Sequence, residues 1–314
     1  MINLIYTNSM GDSLNFGSIA PFLITEVDGL GSPESEIYTQ KTVNQDGVTV
    51  TDSTLKQRNI VLEGKIIDSN RTNRQSYRQR LLKLFNPKLD GKLAIEWNDL
   101  KREIECRPEK APYFASKDNQ NYQDFYLSLL CPDPYFKDIQ QDSIDLVAWI
   151  ENLEFTEEGF STEQTHNYWL GTEEGSLGFE EFASEFGLGQ AKTFGYRELK
   201  QIIEIDNKGD ADTPIKVIFK ADGDVVNPFI QNILTYDKIQ IKGTLRAGDE
   251  LIITTGYGDK NVYLNGVKAQ QYYDFLNSDW LQLSPGVNLI KYDAQDGINN
   301  LECRILYTSK YLGV

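Results

Sequence analysis

The sequence predicts a mainly β chain of two domains: an N-terminal sandwich-like unit with one α-helix, then a C-terminal β-sandwich. Three observations predict it. Short runs rich in Ile, Val, Tyr and Thr recur between Gly, Pro, Asn and Asp turn signals. A single stretch has sustained helical spacing. The length of 314 residues exceeds the roughly 100–200 residues of one domain.

In chain order, MINLIYTNSMGDSLNFG lacks a basic start followed by a long apolar run. No stretch approaches the ~18 apolar residues of a membrane span, so a soluble chain made in a cytoplasm is expected. From Gly29 to Thr54 the chain turns polar, which predicts a long loop or an extended hairpin arm turning at Asp46 and Gly47. RNIVLEGKII follows, with Ile60, Leu62 and Ile66 on one face of a half-buried strand.

The spacing of Tyr77, Leu81, Leu84 and Phe85, with Pro87 just beyond, predicts an amphipathic helix. Its outer face is assigned Arg71, Arg74, Arg78 and Arg80. We read that face as solvated or salt-bridged between subunits rather than as a phosphate-binding patch. LAIEW and REIECR flank an NDLK turn, giving a hairpin with Ile104 and Cys106 on one face. APYFASKDNQ reads as a polar loop and NYQDFYLSLL as a strand. That strand stops at CPDPYFKD, where Pro132 and Pro134 remove N–H donors and redirect the chain. The first domain is therefore placed at 1–140, as an α+β or sandwich unit, and the second at 141–314.

Charge separates the halves. Residues 1–140 carry 17 basic and 19 acidic side chains, whereas 141–314 carry 14 and 28, out of totals of 31 and 47. An acidic second half disfavours phosphate backbones and anionic lipid headgroups as partners. Residues 151–185 alone hold ten Glu with no Lys or Arg, and their frequent glycines predict extended or loop-rich chain with a short turn at EEFASEF. A solvated insertion pinned by aromatics explains this 151–198 segment more simply than a docking surface for a basic or calcium-bearing partner. From Gln201, seven short strands (QIIEIDN, PIKVIFK, KIQIK, ELIITT, NVYL, VNLIKY and LECRILY) with an Asn265–Gly266 turn predict the second sandwich.

The chemistry-bearing residues are sparse. His166 is the single histidine and has no nucleophile elbow near it, so a Ser-His-Asp triad is not expected. No CxxC, HExxH or phosphate-binding glycine motif occurs, so no metal or nucleotide cofactor is expected. Cys106, Cys131 and Cys303 are widely spaced in strand-like runs and read as reduced core thiols. Paired carboxylates could in principle hydrolyse glycosides, but with 47 acids chance pairs are unavoidable. Sugar binding has more support, from Trp149, Tyr168, Trp169, Tyr272, Tyr273 and Trp280 in the acidic half, although core packing is the commoner use of such side chains. Tyr113, Phe114, Tyr135 and Phe136 sit in loops beside prolines and are candidates for an interface between subunits.

Several strings together resemble the distal tail (Dit) proteins of siphophages. In the first half they are RNIVLEGKI, the helix ending LLKLFNP, the hairpin LAIEW to IECR, and DPYF. In the second they are IDNKGDADTPIKV, KIQIKGTLRAGDELIITT, the Asn265–Gly266 turn, SDWLQLSPGVNLIKY and the closing YLGV. The resemblance implies that the first domain forms a hexameric ring at the tail tip, between the tail tube and the tail-associated fibre or lysin protein. It implies a galectin-like or carbohydrate-binding-module-like second sandwich outside the ring, anchoring receptor-binding proteins or a cell-wall glycan. It further implies a non-enzymatic virion protein assembled in the host bacterial cytoplasm, with DNA passing through a central channel unbound and no membrane insertion. Pro132 and Pro134 would turn the chain outward from the ring.

Overall fold

Alternating burial builds the first half. The computed structural model describes residues 2–115, 121–153, 155–156, 159–160, 194–199 and 202–314. The first half runs β1 (Ile2–Asn8), β2 (Ser13–Phe16), β3 (Phe22–Asp28), β4 (Ser35–Gln40), β5 (Thr49–Leu55) and β6 (Arg58–Ile67). Then come α1 (Arg71–Leu84), β7 (Gly91–Trp97), β8 (Leu100–Pro108), β9 (Tyr113–Phe114), β10 (Tyr122–Cys131) and β11 (Phe136–Asp138). Strands β2, β1, β7, β8 and β11 form one antiparallel layer, and β3, β6, β10 and β9 form the other. The layers meet where β10 pairs with β8 at Leu129 and Pro108.

Between the layers lies an aromatic core. In β6, Ile60, Leu62 and Ile66 are wholly buried, and Gly64 takes the remaining inward position because a Cβ there would come 2.4 Å from the Phe125 ring. Leu81, Leu84 and Phe85 bring the helix onto the same core. Tyr6 stacks on Phe85 at 4.2 Å, and Phe16 lies 5.8 Å from Phe85 and 6.0 Å from Phe125. Each such side chain contributes about 2 kcal/mol of burial. Asn70 caps the helix by accepting from the Thr72 N–H at 2.9 Å.

Two expectations for this half are corrected. Arg74 is not on the solvated face: it is buried and donates to the Asp68 carbonyl at 2.6 Å. Its head thereby satisfies the loop that enters the helix. The chain also does not leave the first unit at Pro134. It rejoins the sheet as β11, with Lys137 opposite Glu103 and Asp138 opposite Arg102, because Phe136 is apolar and becomes wholly buried in the first core.

The second half runs β12 (Asp142–Asp145), β13 (Val147–Leu153), β14 (Phe155–Thr156), β15 (Gly159–Phe160), β16 (Phe194–Leu199), β17 (Ile202–Asn207), β18 (Thr213–Ala221), β19 (Val225–Val226) and β20 (Phe229–Asn232). It continues as β21 (Lys238–Gln240), β22 (Thr244–Leu245), β23 (Glu250–Gly256), β24 (Asp259–Leu264), β25 (Val267–Lys268), β26 (Gln282–Leu283), β27 (Gly286–Asp293), β28 (Leu301–Tyr307) and β29 (Lys310–Tyr311). Strand order β12, β28, β18, β23, β24, β25 makes one sheet, and β17, β27, β20, β21 the facing one. Their inward residues, among them Val217, Phe219, Ile253, Ile290 and Tyr292, form a second core. All seven expected strands are present, as is the Asn265–Gly266 turn between β24 and β25. The chain is thus mainly β, with a helix-bearing sandwich followed by a second sandwich.

Within the glutamate-rich segment, β13 pairs with β16 and β14 with β15. Residues 161–193 lie outside the described residues, and with them His166, Tyr168, Trp169 and the turn expected at EEFASEF. Among the described residues no helix is long and apolar enough to cross a membrane.

Candidate assembly surfaces

The segment 29–54 folds as a hairpin arm. Strands β4 and β5 pair from Ser35 opposite Leu55 to Gln40 opposite Thr49, and among the described residues neither pairs with any other strand. The reversal begins before the expected Asp46–Gly47 step: Gln45 N–H donates to the Thr42 carbonyl at 3.2 Å. Every residue of β4 is exposed. Ile37 and Thr39 share a face by alternation, and Thr39 stands opposite Val50. Ile37 and Val50 are 57% and 60% exposed. A two-stranded hairpin alone is marginal in water, and its free edges and β-branched face offer main-chain hydrogen bonds and apolar contact to another chain.

The root of the arm is fixed by Arg58, which is only 3% exposed. Its Nε donates to the Pro134 carbonyl at 2.9 Å, one Nη to the carbonyls of Gly29 (2.7 Å) and Gly31, and the other Nη to the Leu312 carbonyl at 2.5 Å. Burial lowers its pKa, and its guanidinium lies 4.6 Å from the Phe136 ring centroid. Gly29 has φ +88°, and a Cβ there would meet the Asn59 carbonyl at 2.1 Å, so a side chain is excluded where the arm leaves the body.

The C-terminal residues complete this node. Strand β29 leaves the second sandwich and pairs with β11, Phe136 opposite Tyr311 and Lys137 opposite Lys310. Tyr311 donates to Asp138 at 2.9 Å and lies under the Arg102 guanidinium at 3.5 Å; Arg102 also donates to the Gly313 carbonyl. Val314 N–H donates to Leu30 at 3.1 Å. Lys310 lies 3.4 Å from Asp133. The chain's end is therefore strapped across the interdomain turn onto the base of the arm.

The four candidate interface aromatics divide. Tyr113 is 66% exposed in β9. Phe114 is half-buried beside the first core with Arg78 at 4.6 Å over its ring. Tyr135 is half-buried with Lys310 at 5.2 Å, and Phe136 is wholly buried within the chain. Of the aromatics considered for sugars, Tyr273 is buried and stacks on Trp280 at 4.4 Å, while Tyr272 and Trp280 pack against the second core. Trp149 lies in β13. Arg71 and Arg80 remain on the exposed face of α1. Cys106, Cys131 and Cys303 are free and buried; the contact with Cys131 and burial push the Cys106 thiol's pKa well up. Among the described residues no group of three His, Cys, Asp or Glu could hold a metal.

Comparison with known proteins agrees with this architecture. A phage tail protein RIFT-related domain matches residues 9–131, and a siphovirus-type tail component, C-terminal domain, matches residues 208–311. No curated protein matches the chain. The Dit protein of phage SPP1, described as a paradigm of the hub adsorption apparatus in phages infecting Gram-positive bacteria, shares the fold. Its TM-score is 0.63 at 14% identity, over 98% of each chain. A chain of the phage P2 baseplate in its activated conformation gives a TM-score of 0.47 at 11% identity, over 100% of this chain and 99% of that one. On these two family matches, one on each sandwich, the chain belongs to the siphophage distal tail proteins.

Proposed function

We propose that this protein is the ring-forming hub at the tail tip, six copies joining the tail tube to the tail-associated fibre or lysin protein. The observation that carries the reading is the arm: a hairpin with unpaired edges, an exposed β-branched face and a rigid root. Laid on the neighbouring copy, it makes a heterologous contact that closes into a ring when the rotation is right. In this reading residues 1–140 form the ring, with Tyr113 and Phe114 near the contact. Residues 141–314 face outward and anchor receptor-binding proteins, and Lys310–Val314 bind the two together. Residues 1–140, with 17 basic and 19 acidic side chains, give the ring a nearly neutral charge balance, so the genome passes without being held. The role requires no bond to be made or broken. Assembly takes place in the host bacterial cytoplasm, before the tail is complete.

Immunogold labelling of intact particles with an antibody to this chain tests the reading. Label confined to the tail tip is expected; label along the tube, or none on particles, contradicts it.

A further inference from the structure

Strands β8 and β10 pair with Pro108 opposite Leu129 and Arg107 opposite Leu130. One step further, the antiparallel register sets Cys106 opposite Cys131, the last residue of β10. The ladder stops there for a chemical reason. Its next hydrogen bond would run from the residue after Cys131 to the Glu105 carbonyl, and that residue is Pro132, which has no N–H. The strands stay together beyond it, because the same chain returns to β8 as β11, with Lys137 opposite Glu103.

The kind of pair matters as much as the register. Glu109 N–H donates to the Ser128 carbonyl at 3.0 Å, which makes Pro108–Leu129 a non-hydrogen-bonded pair. Arg107–Leu130 is then hydrogen-bonded and Cys106–Cys131 is non-hydrogen-bonded again, by alternation. Such pairs bring their Cα atoms to about 4.5 Å, within the roughly 4.4–6.8 Å that a disulfide spans. Both cysteines face the first core: Cys131 is wholly buried and Cys106 is 3% exposed. Their thiols are in hydrogen-bonding contact. Cys303 belongs to the other core.

The pair also sits beside the node that holds the arm. Cys131 stands opposite Arg58 on β6, and the Arg58 Nε donates to the Pro134 carbonyl just beyond it. A covalent tie at Cys131 would therefore fix β8 to the strand that leads into the node.

We infer that Cys106 and Cys131 are a latent disulfide, two thiols in a reducing compartment and one cross-strand bridge after contact with a small-molecule disulfide such as oxidised glutathione. The Cys106 sulfur, as thiolate, attacks one sulfur of the reagent, whose S–S bond breaks and whose other half leaves as a thiol. The Cys131 sulfur then displaces the second half from the mixed disulfide. Two cysteine thiols are oxidised, one reagent disulfide is reduced to two thiols, and the two cysteine protons end on those thiols. Contact with Cys131 and burial keep the Cys106 thiol protonated, so the exchange is slow, on the order of hours. The bridge closes residues 106–131 into a loop and restrains the unfolded chain. On the hub reading, on which this last step rests, the ring assembles with thiols and is stiffened at the arm's root after release from the host.

Mass spectrometry of the full-length protein after overnight exposure to oxidised glutathione tests the inference. A loss of about 2 Da is expected, with a peptide map joining Cys106 to Cys131. After denaturation, iodoacetamide should label Cys303 alone rather than all three cysteines. The melting temperature should rise by about 5 °C and return on adding dithiothreitol. Labelling of all three cysteines, a persistent glutathione adduct, a bridge to Cys303, or a bridged protein that melts no higher overturns the inference. None of these readouts needs a ring, so their failure is distinct from failure of the hub reading.

Discussion

The Arg58 guanidinium and the Leu312 carbonyl are 254 positions apart in the chain and 2.5 Å apart in the fold. Through that contact, with those to Gly29, Gly31 and Pro134, one buried side chain joins the arm's root, the interdomain turn and the C-terminal strap. Buried carbonyls need donors, and here a single planar fork serves four. That geometry suits arginine and no other residue.

Arg58→Met should therefore lower stability by about 3 kcal/mol, because buried acceptors lose a charged donor. Arg58→Lys should recover only part of the loss, since an ammonium cannot span the same carbonyls. Urea unfolding measures both. Limited proteolysis of Arg58→Met should show faster cleavage at the arm's root than in the wild type, because that root is tied through Gly29 and Gly31.

Tyr6 gives the opposite sign. Its ring is wholly buried against Phe85, yet among the described residues its hydroxyl has no hydrogen-bond partner. Burial pushes its pKa up. Tyr6→Phe keeps the stacking and removes an unmatched polar atom, so it should raise stability by about 1 kcal/mol. A denaturation midpoint below that of the wild type would contradict this.

Asp274 links stability to pH. Asn277 first, then Lys242 and the Leu276 N–H, hold its carboxyl down to about 2 against an ordinary 3.8. A depressed folded-state pKa stabilises above the unfolded value and is lost as pH falls through the folded one. The contribution is thus complete above about pH 5 and fades toward pH 2. Scanning calorimetry across that window should show the melting temperature of the wild type falling more steeply than that of Asp274→Asn, with parallel curves above pH 5.

Periodicity explains what was legible beforehand. Ile60, Leu62 and Ile66 alternate, Leu81 and Leu84 repeat at helical spacing, and the seven strands of the second sandwich stand between turn residues, so local pattern sufficed. Arg74 was misplaced because its charge argued for solvent, while its guanidinium finds an acceptor six residues back, at the Asp68 carbonyl of the loop entering the helix, which helical spacing alone does not show. Phe136 and the strap were illegible for a related reason: β11 and β29 have three and two residues, too few for a period to show.

The mass of the purified full-length chain in solution tests the central claim most directly, measured beside a variant in which residues 35–55 are replaced by a short Gly-Ser link. The account predicts that the intact chain reaches a hexamer as concentration rises and that the armless variant stays monomeric. An intact chain that remains a monomer at every concentration, or an armless variant that assembles equally well, would contradict it.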